Sequence, residues 1–247
     1  MLPFIRVGPF LLQLPGLALL GGAWAGSSLA EKEAARLRLN AADLYNLIFY
    51  GLVAGIVGAR LAYAARYLSA YLANPTSLLA LTPATLYPSA GLVIGLAAAA
   101  LFGWRKRLPL RPTLDALAPG LAAFMVALGL AHFLSGDAFG APTTLPWAIQ
   151  LWDDARHPSQ IYETLAALAV FALAWKRPLG IGQGLNFLLV LALSAAVRVF
   201  LEAFRGDSLL WAGGFRAAQV VGIIVLVTAL WLMRRWAPPA AEPEAAR

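Results

Sequence analysis

The chain has 247 residues, of which 61% are hydrophobic and only 13% charged, with a formal net charge of +7. Its mean hydropathy is +0.73. A soluble domain must show water a polar surface, so this composition indicates a polytopic helical membrane protein and leaves no room for a second sizeable domain. The absence of cysteine excludes disulfides, thiolate metal sites and a cysteine nucleophile from the chain itself, and two histidines argue against a dedicated metal site.

Seven apolar segments follow in chain order, at roughly 8–30, 44–71, 88–104, 114–134, 158–175, 182–204 and 217–233. The first is read as a span rather than a cleaved signal peptide, because Lys32, Arg36 and Arg38 follow its apolar core instead of preceding it. The second contains "GLVAGIVGA", where Gly51, Gly55 and Gly58 recur at spacings of four and three, as close helix packing requires. It also carries Arg60 and Arg66, with Arg60, Tyr63 and Tyr67 on one face. The third is short and is followed by Arg105, Lys106, Arg107 and Arg111.

The fourth segment holds His132 near its end. The fifth opens in "RHPSQIYETLAAL", residues 156–168, which gathers an Arg, a His, a Gln, a Tyr and a Glu at one membrane boundary. Pro158 suits the first position of a helix, and Gln160 and Glu163, three apart, turn the same way. Lys176 and Arg177 follow. In the sixth, "SAAVRVFLEAFRGD" spaces Arg198, Glu202 and Arg205 by four and three, so a continuous helix places them on one face. Arg234 and Arg235 follow the seventh, and the Pro-, Ala- and Glu-rich tail reads as disordered. The expectation is one transmembrane domain over 1–236 and a cytoplasmic tail over 237–247.

Charge sets the orientation. The basic residues after segments one, three, five and seven, with Arg247, number twelve, against Arg6, Arg156, Arg205 and Arg216 on the other side. The positive-inside rule then puts the N-terminus outside and the C-terminus inside. The net positive charge is thereby read as membrane topology, with no nucleic-acid partner.

A charge at membrane depth costs about 2.5–3.5 kcal/mol on insertion scales, so an intramembrane arginine is expected to face a bundle interior or a wet cavity. Arg60 and Arg198 are read this way. Arg66, nearer a helix end, is explained equally well by snorkelling. The alternative for Arg198 and Glu202 is that they only neutralise each other. The stripes on segments two and six and the start of segment five all fall toward the outer half of the membrane, which points to a site open to the outer leaflet.

"RHPSQIYE" resembles the RHPSQLYE motif of phosphatidylglycerol–prolipoprotein diacylglyceryl transferases. Other stretches resemble that family in the same order. "LIFYGLVAGIVGARLAY" is similar to its glycine-rich second helix, "LDALAPGLAAFMVALGLAHFLSGDAFG" to the segment ending in its NFINGELWG-type signature, "VRVFLEAFR" to its FR-x-x-x-EFFR stretch, and "AAQ" to the entry of its last helix. The resemblance runs from about Leu44 to Trp236, and more weakly through the first segment. It implies an all-α integral membrane protein of about seven spans in the bacterial cytoplasmic (inner) membrane.

The activity implied is transfer of a diacylglyceryl group from phosphatidylglycerol, or a related membrane lipid, to the lipobox cysteine of prolipoproteins. A thioether forms and glycerol phosphate leaves, with no metal or organic cofactor. The partners implied are a phospholipid donor, a prolipoprotein signal peptide with its lipobox cysteine, and the bilayer. The resemblance makes Arg198, His157 and Glu202 candidate catalytic residues, and His132, near the outer end of the fourth segment, joins them by position. Arg60, Tyr63, Gln160, Tyr162, Glu163, Asp137 and Arg205 are the candidate substrate-binding residues. Arg198 and Arg60 are expected to hold the lipid phosphate, and either His132 or His157 to serve as base for the thiol.

The chain departs from the family pattern at several positions. Aligned without gaps from Asp115 to Gly140, the Arg of the G-R-x-G-N-F-x-N-G-E signature falls on Gly129, its asparagines on His132 and Ser135, and its Glu on Asp137. Ser89 stands where the family has the His of its HGG motif, and Ser194 where it has a tyrosine. A second reading of these substitutions is a non-catalytic relative that binds lipid or lipoprotein without turnover.

Overall fold

The computed structural model describes residues 3–79, 85–151, 153–176 and 179–238. Long helices dominate: α1 (Leu14–Arg36), α2 (Ala41–Arg66), α4 (Pro88–Arg105), α5 (Leu110–Ser135), α6 (Ser159–Lys176), α7 (Leu185–Leu201) and α8 (Ala217–Trp236). They match the seven apolar segments. Between α2 and α4 lie the short α3 (Leu68–Ala73) and a 3-10 turn at Pro75–Leu79. The strands form two small antiparallel hairpins, β1 (Phe4–Val7) with β2 (Phe10–Gln13), and β3 (Ile149–Leu151) with β4 (Asp154–Arg156).

By length and composition, α2, α4, α5, α8 and α7 with its extension to Phe204 can each cross a membrane. The molecule is an all-α membrane protein. Helix α1 carries Glu31, Lys32, Glu33 and Arg36 toward its end, and α6 opens on the polar stretch quoted above. Large apolar side chains such as Leu92, Val93, Leu165 and Phe200 face outward. That is the inverse of a water-soluble surface and suits contact with lipid tails.

The boundaries differ from the sequence reading most consequentially at three places. Residues 4–13, partly assigned to the first span, form the β1–β2 hairpin. Gly8 and Pro9 make its two-residue turn, with Gly8 at φ +60, and Pro15 then starts α1, where its missing N–H costs nothing. Helix α2 stops at Arg66 rather than continuing to 71. Helix α7 stops at Leu201, and Glu202–Phe204 tighten into a 3-10 turn. Most of the tail expected to be disordered, residues 239–247, lies outside the described residues.

Helix α5 is the centre of the bundle. It packs along α1 and α6 and also meets α7; α2 pairs mainly with α4, and α7 with α8. Small residues allow these approaches. A Cβ on Gly55 would stand 3.1 Å from the Gly91 carbonyl oxygen, and one on Gly26 would stand 2.8 Å from that of Gly120. The glycine run of α2 therefore serves close packing, as its spacing predicts. Ala118, Ala122, Val170, Ala174 and Val190 close the core between α5, α6 and α7.

One buried carboxylate aligns two of these helices. Asp115 of α5 accepts hydrogen bonds from the backbone N–H groups of Gly184 (2.8 Å), Asn186 (3.0 Å) and Phe187 (3.2 Å). A helix start leaves such N–H groups without partners and carries positive dipole, so a carboxylate from the neighbouring helix satisfies both needs. Asp115 thus fixes the start of α7, whose other end carries Arg198.

Candidate active site

The site begins where α5 ends. Gly136, at φ +86, turns the chain out of the helix, and the Ser135 hydroxyl accepts from the Asp137 N–H at 3.1 Å. The chain returns through the β3–β4 hairpin to α6. The polar motif at the start of α6 ties this excursion down. Ser159 Oγ donates to the Ala138 carbonyl at 2.5 Å, Gln160 Nε2 to the Asp137 carbonyl at 3.0 Å, and the His157 N–H to the Ala141 carbonyl at 3.0 Å. Arg156 donates to the carbonyls of Leu151 and Gly140 and pairs with Asp154 at 2.7 Å.

The same loop is joined to the exit of α7. Ala141 N–H donates to the Phe204 carbonyl at 2.8 Å, and Gly206 N–H to the Phe139 carbonyl at 2.9 Å. Much of the polarity of "RHPSQIYE" therefore satisfies main-chain groups that no helix or sheet satisfies, as burial demands. The side chain of Gln160 is fully buried and that of Asp137 exposed; only the Asp137 backbone takes part in this joint.

A cleft opens beside it, walled by Met125 of α5, Ser159, Glu163, Ala167 and Val170 of α6, and Ser194, Val197 and Arg198 of α7, with Ala138, Leu201 and Arg205 closing one end. Its walls are largely apolar and its charges are Glu163, Arg198 and Arg205. Arg198 is 37% exposed, whereas Glu202 below it is 1% exposed. Their nearest nitrogen and oxygen lie 2.9 Å apart, in ionic contact but without a directed hydrogen bond. Arg205 Nε is 3.9 Å from the same carboxylate.

The break in α7 changes the role of Arg205. It leaves the helix and grips Asp207 with two hydrogen bonds of 2.8 and 2.7 Å. Most of its charge is thereby balanced, and Arg198 is left as the accessible cation of the cleft. Asp207 and Arg216 were not singled out from sequence. Arg216 donates to the carbonyls of Glu202 and Arg205 and to Ser208 Oγ at 3.1 Å, clamping the turn. The adjacent "RGD" was a signal for the Arg205–Asp207 pair; the Arg216 clamp spans a loop and had none.

His132 lies beside the cleft. Its Nδ1 is 2.9 Å from Glu163 Oε2. The pairing depends on how closely α5 and α6 approach one turn earlier, where a Cβ on Gly129 would meet Thr164 Oγ1 at 2.5 Å and Thr164 N at 3.0 Å. His157 is placed differently: its ring packs against Phe204 and Tyr162, with centroids 5.2 and 6.2 Å away, and its Nδ1 is buried without a hydrogen-bond partner. Tyr162 OH accepts from Trp147 Nε1 at 2.7 Å.

Arg60 and Tyr63 do not line the cleft. Arg60 is 5% exposed, and its guanidinium donates to the carbonyls of Leu78 (3.2 Å), Thr85 (3.0 Å) and Ser77 and to the Thr85 hydroxyl. It also sits over the Tyr71 ring at 5.3 Å, and the Tyr63 ring packs tilted against that of Tyr67. The expected pairing of Arg60 with Arg198 on one phosphate gives way to a different arrangement: Arg60 holds the segment between α3 and α4. Burial explains the difference, since a desolvated guanidinium takes whichever carbonyls surround it.

Helices long and apolar enough to cross a membrane, enclosing an apolar cleft with an accessible arginine at one end, define a helical membrane protein with an internal charged site. The family model described as prolipoprotein diacylglyceryl transferase matches residues 3–235. Three relatives called phosphatidylglycerol–prolipoprotein diacylglyceryl transferase are similar over most of their length. That of Geobacillus kaustophilus is 31% identical over 94% of this chain and 92% of its own, and that of Trichormus variabilis 29% over 95% and 90%. That of Bordetella parapertussis is 33% identical over 72% and 73%. The chain belongs to the prolipoprotein diacylglyceryl transferase family, a family of bacterial membrane transferases.

Proposed function

We propose that this protein transfers the diacylglyceryl group of phosphatidylglycerol, or a closely related anionic phospholipid, to the lipobox cysteine of a prolipoprotein. Sulfur attacks the glyceryl carbon bonded to phosphate, the carbon–oxygen bond breaks, and glycerol phosphate leaves with both electrons of that bond. The observation that carries this reading is the accessible Arg198 at the charged end of an otherwise apolar cleft between α5, α6 and α7. Acyl chains suit the apolar walls, and a guanidinium binds phosphate and stabilises the charge that grows on the leaving group.

Glu202 holds Arg198 from below, and Arg205, Asp207 and Arg216 fix the turn that carries both. The protein is a single seven-span domain over residues 1–236 in the cytoplasmic membrane, N-terminus outside, with the cleft toward the outer leaflet. The charge asymmetry of its loops supports this orientation.

The test is direct. Purified protein incubated with phosphatidylglycerol and a lipobox peptide should raise the peptide mass by one diacylglyceryl unit. The gene should also rescue a strain depleted of its own transferase, and its Arg198→Ala form should not. Absence of product with phosphatidylglycerol and with other anionic phospholipids sinks the reading.

A further inference from the structure

We propose that His132 takes the proton from the acceptor thiol and that Glu163 positions it; this rests on the diacylglyceryl-transfer reading above. A thiol is a poor nucleophile until it loses its proton, and sulfur can bond to the glyceryl carbon only as that proton departs. The chain has two histidines. His157 is committed to the aromatic wall of Tyr162 and Phe204, with Nδ1 buried and without a hydrogen-bond partner.

His132 has the opposite arrangement. Its Nδ1 faces Glu163 Oε2 at 2.9 Å, which favours the tautomer with the proton on Nδ1 and the lone pair on Nε2. The His132 side chain is a quarter exposed, and Nε2 is neither buried nor bonded among the described residues. Glu163 itself lines the cleft that Arg198 enters. Orienting carboxylate and phosphate-binding cation therefore line one cleft, and His132 adjoins it through its contact with Glu163.

The geometry is built from backbone upward. Gly129 lets α5 meet α6 at Thr164. One turn further along α5 stands His132, and Thr164 is the residue next to Glu163, so the same crossing brings the two side chains into contact. The part of α1 alongside, residues 14–22, has no ionisable side chain to compete for either group. In the step, the thiol proton passes to Nε2, sulfur bonds to carbon, and the phosphate oxygen leaves with the carbon–oxygen electron pair. The proton then goes from Nε2 to the departing phosphate or to water.

The experiment compares wild type, H132Q and E163Q in phosphatidylglycerol micelles with two lipobox peptides, one bearing cysteine and one selenocysteine. A selenol is ionised at neutral pH and needs no base. With the thiol peptide, H132Q is expected to lose about 100-fold in kcat and E163Q about tenfold, at unchanged KM for lipid. With the selenol peptide both variants should approach the wild-type rate, which a merely misfolded site cannot do. A thiol rate in H132Q equal to wild type, or an equal loss with both peptides, overturns the assignment while the transferase reading stands. No product from wild type with either peptide overturns the transferase reading and the assignment together.

Discussion

Gly129 of α5 and Thr164 of α6 face each other so closely that a single added carbon on Gly129 would stand 2.5 Å from the threonine hydroxyl. The two helices meet there main chain to side chain, and the His132–Glu163 contact lies one turn beyond. Gly129→Val is expected to wedge the helices apart. Overpacking of this kind costs about 1–3 kcal/mol, and the melting temperature of the purified protein in detergent measures it. The transfer rate should fall further than the stability loss alone explains, because the wedge also opens the pair. An unchanged melting temperature would show that the crossing is looser than described.

Arg198→Ala should lower kcat/KM for lipid by about 100-fold or more, since one preorganised donor to a developing oxyanion is worth that much. Arg198→Lys should recover only part of the loss, because an ammonium cannot form the two parallel hydrogen bonds of a guanidinium. Initial rates with phosphatidylglycerol and a lipobox peptide read both variants. Alanine and wild type with equal rates would remove Arg198 from the site.

Arg60→Ala should act on the fold before it acts on the chemistry. It strips hydrogen bonds from the carbonyls of Ser77 and Leu78, each worth about 1–3 kcal/mol when left buried and unsatisfied. The expected outcome is a lower melting temperature and faster protease cleavage between α3 and α4, with the KM for lipid changed by less than about threefold. A large rise in that KM with unchanged stability would instead return Arg60 to the lipid phosphate.

Asp115→Ala removes the cap that three N–H groups of the α7 start share. A loss of about 2–3 kcal/mol is expected, combining a helix cap with charge-assisted bonds. Hydrogen exchange at residues 184–187 should rise more than at the α8 end. Uniform exchange across both helices would show that Asp115 does not hold this end of α7.

Much of the architecture was legible as apolar run length, because a helix that crosses lipid must satisfy its own backbone and needs about twenty apolar residues to do so. The ten residues of the first hairpin were hidden by the same signal, since their strands are as apolar as a span. Arg198 and Glu202 were legible because four residues is one helical turn. Arg205 leaves the helix because α7 breaks at Leu201, a change that spacing cannot register. Arg60 marked a buried polar site correctly, but its partners come from an irregular segment about 20 residues away. The pairing of His132 with Glu163 was not foreseen, since it depends on a glycine that looked only like a lost arginine.

The joint that binds the end of α5 to α6 and α7 is received almost wholly by carbonyl oxygens, those of Phe139 and Phe204 and of Asp137, Ala138 and Ala141. Every residue has that oxygen, whatever its side chain. Substitution at the exposed Asp137 therefore changes what the loop presents without loosening what holds it, whereas a side chain at Gly140 would run into the His157 backbone. A lineage could exchange the carboxylate at 137 for an amide and never lose the scaffold that aims Arg198. The hinge of this site is written in main chain, which leaves its chemistry free to drift.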